Sequence, residues 1–214
     1  MSPVEVKLWG PFACFTRPEF RVERVSYEVM TPSAARGALE AILWKPQFYW
    51  AIREIWVLNP IRTFSLVRNE LQQGQKPLRK EPFFIDDEHI RTQRHTLGLR
   101  QVAYVVRADV VVRPGCGDAP AKYRDQFRRR VEQGRCFHRP SFGMREFTAD
   151  FGPVTAADRP IQETRDLGRM LFDLKYDETA PPGQGVPPEP LFFPAHLKDG
   201  ILPVPQEPYR RIRG

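Results

Sequence analysis

The chain has 214 residues, 41% hydrophobic and 12% aromatic, enough for one large domain or two small ones with a buried core, and too apolar to be a disordered chain despite 22 prolines. Its formal net charge of +7 favours a polyanionic partner without locating a site. Cys14, Cys116 and Cys136 and four scattered histidines show no zinc spacing, no run of about 18 apolar residues is present, and no signal peptide is visible, so no metal or other cofactor, no membrane contact and a cytoplasmic setting are expected.

Val4 to Trp9 alternates as a first strand, closed by Gly10-Pro11. Phe12 to Arg24 is irregular. Thr31 is a good N-cap and Pro32 fits the first helical position, where its missing N–H costs nothing. Ala35, Leu39 and Ile42 recur at helical spacing, and Pro46 stops the helix near Trp44. From Phe48 the period drops to two: Phe48, Trp50, Ile52 and Glu54 point one way, Tyr49, Ala51, Arg53 and Ile55 the other, up to Asn59-Pro60.

Residues 60–98 lack a clear period, which is too long for an ordinary loop, so an inserted hairpin is expected around Gln72-Gln73-Gly74-Gln75. Arg62, Arg68, Lys76, Arg79, Lys80, Arg91, Arg94 and Arg100 make it basic. Asp86-Asp87-Glu88-His89 reads as a solvated acidic loop that offsets them. Gln101 to Arg113 alternates as the clearest strand and Pro114-Gly115 breaks it. Ala121 to Gln133 follows as a second helix, stopped by Gly134, with Tyr123, Phe127 and Val131 as its apolar stripe. Phe142 to Ala149 can form a fourth strand.

The sum is β-α-β, insertion, β-α-β, an α+β fold of the ferredoxin-like, RRM-like βαββαβ pattern with an inserted hairpin. This domain covers residues 1–150, with the insertion at about 60–98. Beyond it, Leu167 to Tyr176, Leu191-Phe192-Phe193 and Ile201 to Val204 read as strands of a small antiparallel β-rich module over 151–214, with a Pro/Gly loop from Ala180 to Pro190 and a basic tail from Tyr209 to Arg213.

No nucleophile elbow, P-loop, dinucleotide fingerprint or HExxH is present. What is left is basic and aromatic. Lys122, Arg124, Arg128, Arg129 and Arg130 outnumber Asp125 and Glu132 on the second helix, a face that can follow phosphates or simply face solvent. Phe12, Phe15, Phe83 and Phe84 are stacking platforms or core residues. RNA cleavage needs no metal when side chains take the 2′-OH proton, stabilise the dividing phosphate and protonate the leaving 5′-oxygen.

Thr31-Pro32-Ser33-Ala34-Ala35-Arg36-Gly37, Leu43-Trp44-Lys45-Pro46 and Val57-Leu58-Asn59-Pro60-Ile61 resemble the CRISPR-associated RAMP subunit of the type I-C Cascade. Arg68-Asn69-Glu70, Arg91-Thr92-Gln93-Arg94 and Cys136-Phe137-His138-Arg139-Pro140, running to Gly143-Met144-Arg145-Glu146-Phe147, agree in order and spacing. The resemblance implies the same fold and a precursor-CRISPR-RNA endoribonuclease that cuts at the base of the repeat hairpin. It implies CRISPR repeat RNA and other Cascade subunits as partners. The family's cleaving groups are a tyrosine before Trp-Lys-Pro and a Lys-His pair opening the second helix. Those positions are Leu43, Lys122 and Tyr123 here, so only the lysine matches. Lys122 is expected to stabilise charge, with Tyr123, His138 and Tyr49 as the proton-transfer candidates. Lys45, Arg91, Arg94, Arg124, Arg128 and Arg129 are expected to grip RNA. Two other readings stand beside this one: a non-catalytic subunit holding the 5′ handle of the CRISPR RNA, and a nonspecific binder of duplex DNA.

Overall fold

A computed structural model describes residues 3–20, 22–71, 91–176 and 188–209. The strands are β1 Val4–Ala13, β2 Arg24–Val25, β3 Phe48–Val57, β4 Thr63–Leu71, β5 Arg91–Val112, β6 Asp150–Gly152, β7 Arg165–Lys175, β8 Glu189–Leu197 and β9 Ile201–Pro203. The helices are α1 Pro32–Ile42 and α2 Pro120–Glu132. The fold is mixed and strand-rich. No helix among the described residues is long and apolar enough to cross a membrane.

Alternation puts Val4, Val6 and Leu8 in the core. β1 does not stop at Gly10-Pro11 as expected. Its pairing with β6 ends at Trp9, so the missing N–H of Pro11 deprives no partner there, and the strand runs on against β5 to Ala13. α1 starts where the capping chemistry requires: Thr31 accepts the Ala34 N–H at 3.2 Å, with Pro32 in the first turn. It ends at Ile42, where Leu43 turns extended and its carbonyl accepts the Trp50 indole N–H at 3.0 Å.

β3 keeps the expected phase only to Ile52. Arg53 is an extra residue bulged between the Ile52–Ala108 and Glu54–Arg107 pairs, so Ile55 and Val57 return to the buried face and Glu54 leaves it. β5 begins at Arg91 rather than Gln101. Its first nine residues pair with β4 in a hairpin at the end of β5 remote from Val112, and its later residues lie between β1 and β3. The early half is polar on both faces, so no period betrayed it.

The main sheet runs β6-β1-β5-β3-β9, antiparallel along this path, with β4 antiparallel and β2 parallel to β5. Both helices cover one face: the rings of Tyr123 and Phe127 on α2 pack against Phe48 and Trp50 at 4.7 Å each. The segment 153–164 crosses the other face, where Asp158 pairs with Lys7 of β1 and the Ile161 N–H donates to the Val57 carbonyl of β3 at 2.9 Å.

Phe142 to Ala149 is not the fourth strand. Gly143 takes a φ of 83°, and a Cβ there would lie 2.0 Å from the Cys14 carbonyl oxygen, so the segment folds as a knot with one bridge, Ser141 to Thr148. β6 supplies the fourth strand instead. It straddles the expected division at 150/151, and β9 pairs with β3 rather than with β7 and β8. Phe172, Phe193, Leu202 and Tyr209 belong to the same hydrophobic core as Leu39 and Trp50. Lys76, Arg79, Lys80, Phe83, Phe84, the acidic stretch Asp86 to His89, most of the Ala180 to Pro190 loop and Arg210 to Arg213 lie outside the described residues.

Candidate active site and nucleic-acid interface

α2 opens on Ala119 and Pro120, with no side-chain cap on its first turn. Asp118, two residues ahead of Pro120, folds back over that turn. Its Oδ1 accepts from Lys122 Nζ at 2.8 Å and its Oδ2 from the Tyr123 hydroxyl, with Cys116 Sγ 3.7 Å from the same oxygen. The hydrogen bonds from Lys122 and Tyr123 hold the Asp118 carboxyl below the usual carboxylate range. The reciprocal contact pushes the Tyr123 phenol above its ordinary range, with burial adding to it. The lysine side chain is 60% exposed, whereas Tyr123 is 2% exposed and its ring lies on Phe48. This cluster offers a fixed carboxylate beside an accessible ammonium group. Sequence reading found Lys122 and Tyr123 but missed Asp118; an acidic residue four ahead of Lys122 and just before a helix-opening proline was the available signal.

The other proton-transfer candidates do not join it. His138 is exposed on the loop after α2, its backbone N–H donating to the Ala41 carbonyl at 3.2 Å at the end of α1. It lines a separate cavity that Lys122 does not border. Tyr49 alternates with Phe48 to the opposite side of β3, and its ring stacks on Tyr209 at 6.4 Å. Leu43, 1% exposed, fills the core between α1 and Trp50 and carries no transferable proton.

The expected continuous arginine face of α2 is divided by the roughly 100° turn between successive helical residues. Arg129 joins Arg130 and Arg135 around an open hollow of about 730 Å³ edged by Gln126 and Gln133. Arg130 also donates to the Ile42 carbonyl at 2.7 Å, tying the ends of the two helices together. Arg128 points into a different groove beside Glu5 and Glu132 and lies 3.8 Å from Asp125. Arg124, one turn earlier, shares the Arg128 side. Lys45 is exposed on the turn between α1 and β3, next to the exposed Trp44.

Arg91 and Arg94 sit on the β4–β5 hairpin, with Arg94 opposite Arg68. From Arg94 to Val112, where the chain turns toward α2, the strand spans on the order of 60 Å at about 3.3 Å per residue. Arg91 and Arg94 therefore do not converge with the α2 arginines on one groove. Phe15 is a core residue packed on Tyr104 and Phe142, while Phe12 is partly exposed against Phe64.

Residues 4–205 match the family described as CRISPR-associated protein (Cas_Cas5). The chain belongs to this family. It is 46% identical to a protein of Thermus thermophilus named CRISPR pre-crRNA endoribonuclease Cas5d, over 99% of this chain and 95% of that one. A protein of the same name from Mannheimia succiniciproducens is 40% identical over 94% of each chain. A solved structure titled Crystal Structure of CRISPR-associated Protein shares the fold with a TM-score of 0.66, at 22% identity and over 96% of this chain and 93% of that one. Among the described residues, the cluster at the start of α2 and the arginine hollow at its end both offer chemistry toward RNA.

Proposed function

We propose that this chain is an endoribonuclease that cuts CRISPR precursor RNA at the base of its repeat hairpin without a metal ion and then stays with the product in the type I-C interference complex. The reading rests on near-full-length similarity to two relatives named pre-crRNA endoribonucleases. The observation that carries the chemistry is the contact of Asp118 with Lys122 at 2.8 Å.

In this mechanism the ribose 2′-oxygen attacks the adjacent phosphorus and its proton passes to the Asp118 carboxylate. The Lys122 ammonium faces the charge growing on the phosphate oxygens and donates a proton to the departing 5′-oxygen. The P–O5′ bond breaks, leaving a 2′,3′-cyclic phosphate and a 5′-OH. Protonated Asp118 then returns its proton to the Lys122 amine across their hydrogen bond, which resets the site with no net change. Tyr123 is a positioning residue that fixes the second carboxylate oxygen. The hollow around Arg129 and Arg135 and the exposed Lys45 hold phosphates of the repeat by charge. The strand order β6-β1-β5-β3 with a helix after β1 and another after β5 supports a ferredoxin-like core, with the β4–β5 hairpin inserted and β7–β8 added.

The test is to incubate the purified protein with its own repeat RNA in EDTA. One discrete cut with a cyclic-phosphate end is expected, lost by about 10²–10³-fold in Lys122→Ala. The buried leucine at the family tyrosine position favours a second reading, a subunit that holds the 5′ handle without cutting. Binding of the repeat with no cut under any condition selects that reading.

A further inference from the structure

Gly37 stands in the middle of α1, where glycine is less favourable than alanine, yet a Cβ built there meets no heavy atom within 4 Å. Nothing in the described chain requires its small size. Gly10, Gly98 and Gly143 differ: a side chain at each of them would collide with the fold. Gly37 instead forms part of the wall of a cavity of about 390 Å³ between α1, the end of β1 and the loop after α2. His138 and Arg139 line the same cavity, with the hydroxyl-bearing Thr16 and Ser141. Arg139, whose side chain is largely exposed, pairs with Asp150 at 2.6 Å.

The volume falls within the range of small-ligand sites. The α1 side is lined by the small residues Ser33, Ala34, Gly37 and Ala41, with helix backbone open at Gly37, and the rest of the lining includes an arginine, a histidine and hydroxyls. That combination suits a group with a phosphate on one side and a flat or sugar edge that needs close approach on the other. We infer that this cavity takes a single unpaired nucleotide of the bound RNA, its phosphate toward Arg139 and His138 and its sugar against the backbone at Gly37. The inference rests on the proposed function for its ligand. It assigns the nucleotide to a place apart from the Lys122–Asp118 cluster, so the cavity sets which phosphate arrives there.

The experiment compares binding of two labelled probes, the repeat RNA with its single-stranded flanks and the same hairpin with the flanks removed. Gly37→Ala is the variant, because alanine suits a helix and its Tm is expected to equal or exceed that of the parent. The expected result is a loss of about tenfold in affinity for the flanked probe, the scale of overpacking by one added methyl, and no change for the bare hairpin. Arg139→Gln is expected to reproduce that selective loss. Equal affinities of parent and Gly37→Ala for the flanked probe overturn the inference and leave the proposed function standing. Equal losses for both probes also overturn it, since the cavity would then not read a flank. Failure of the parent to bind or cut either probe removes the proposed function itself.

Discussion

Arg36 grips Asp173 through two parallel hydrogen bonds, Nε to Oδ2 at 2.8 Å and Nη2 to Oδ1 at 2.9 Å, across 137 positions of sequence. Ser33 adds a third donor to the same carboxylate at 3.2 Å, so two residues of the Thr-Pro-Ser-Ala-Ala-Arg-Gly segment clamp β7 onto α1. Asp173 is buried, and these donors together with the Leu174 N–H at 2.8 Å replace the water its charge has lost. Arg36→Ala leaves an unpaired buried carboxylate and is expected to destabilise the fold by about 3–5 kcal/mol in urea unfolding, still as one transition. Arg36→Met with Asp173→Leu is expected to recover most of that loss. Two separate transitions in the parent would instead mean that β7 and β8 unfold apart from the main sheet.

The role given to Tyr123 has a signature in the pH dependence of cleavage. Its hydroxyl and Lys122 both donate to Asp118 and hold that carboxyl below its ordinary value of about 3.9. If the charged carboxylate takes the 2′ proton, the rate is full above that value and falls only as pH drops through the depressed one. Tyr123→Phe removes one donor, so the acid limb is expected to move upward toward the ordinary carboxylate range. A structural defect alone lowers the rate at every pH and leaves the limb where it was. Single-turnover rates between pH 3.5 and 7 separate the two outcomes.

Much of this architecture was legible because local rules governed it. Thr31 and Pro32 announced α1, and Tyr123, Phe127 and Val131 announced the buried stripe of α2. What escaped notice was governed by contacts distant in sequence. The bulge at Arg53 shows only in the pairing with β5. The left-handed Gly143 follows from the Cys14 carbonyl pressed against it, which no pattern within 142–149 reports. Ile201 to Val204 reads as a strand in the sequence, but that its partner is β3 shows only in the pairing. At the site, Lys122 was found by resemblance. Asp118 was overlooked because its importance lies in a helix turn folding back on the residue before it.

The divided arginines of α2 predict unequal effects on RNA binding. Arg129 shares its hollow with Arg130 and Arg135, whereas Arg128 lies beside Glu5, Asp125 and Glu132. A cation already near three carboxylates releases few counterions when a phosphate arrives. Arg129→Ala is expected to reduce the slope of log K against log salt by about 1, and Arg128→Ala to leave it nearly unchanged. Filter binding of the repeat between about 50 and 300 mM salt checks this. Equal slope changes for the two variants would mean that both grooves carry RNA.

Tyr104 predicts how the fold fails in base. It lies in the core under Phe15 and Phe142, and burial pushes its phenol well above the ordinary value, against a smaller opposing effect from a backbone hydrogen bond at Met30. A raised folded value means that the neutral phenol is favoured in the native state, so its contribution is complete below about pH 10, where the unfolded phenol titrates, and declines above it. One such phenol gives a slope of roughly 1.4 kcal/mol per pH unit. Tyr27 and Tyr123, whose phenols are also raised, act in the same direction. Urea midpoints are therefore expected to hold steady to about pH 8.5, to decline gently as the buried Cys14 thiol, also raised by burial, begins to count, and to fall steeply beyond about 10. Tyr104→Phe, though less stable at neutral pH by the lost hydrogen bond, is expected to show a shallower fall by about one proton's worth. An unchanged slope in that variant would place the alkaline sensitivity elsewhere, with Tyr27 the next phenol to replace.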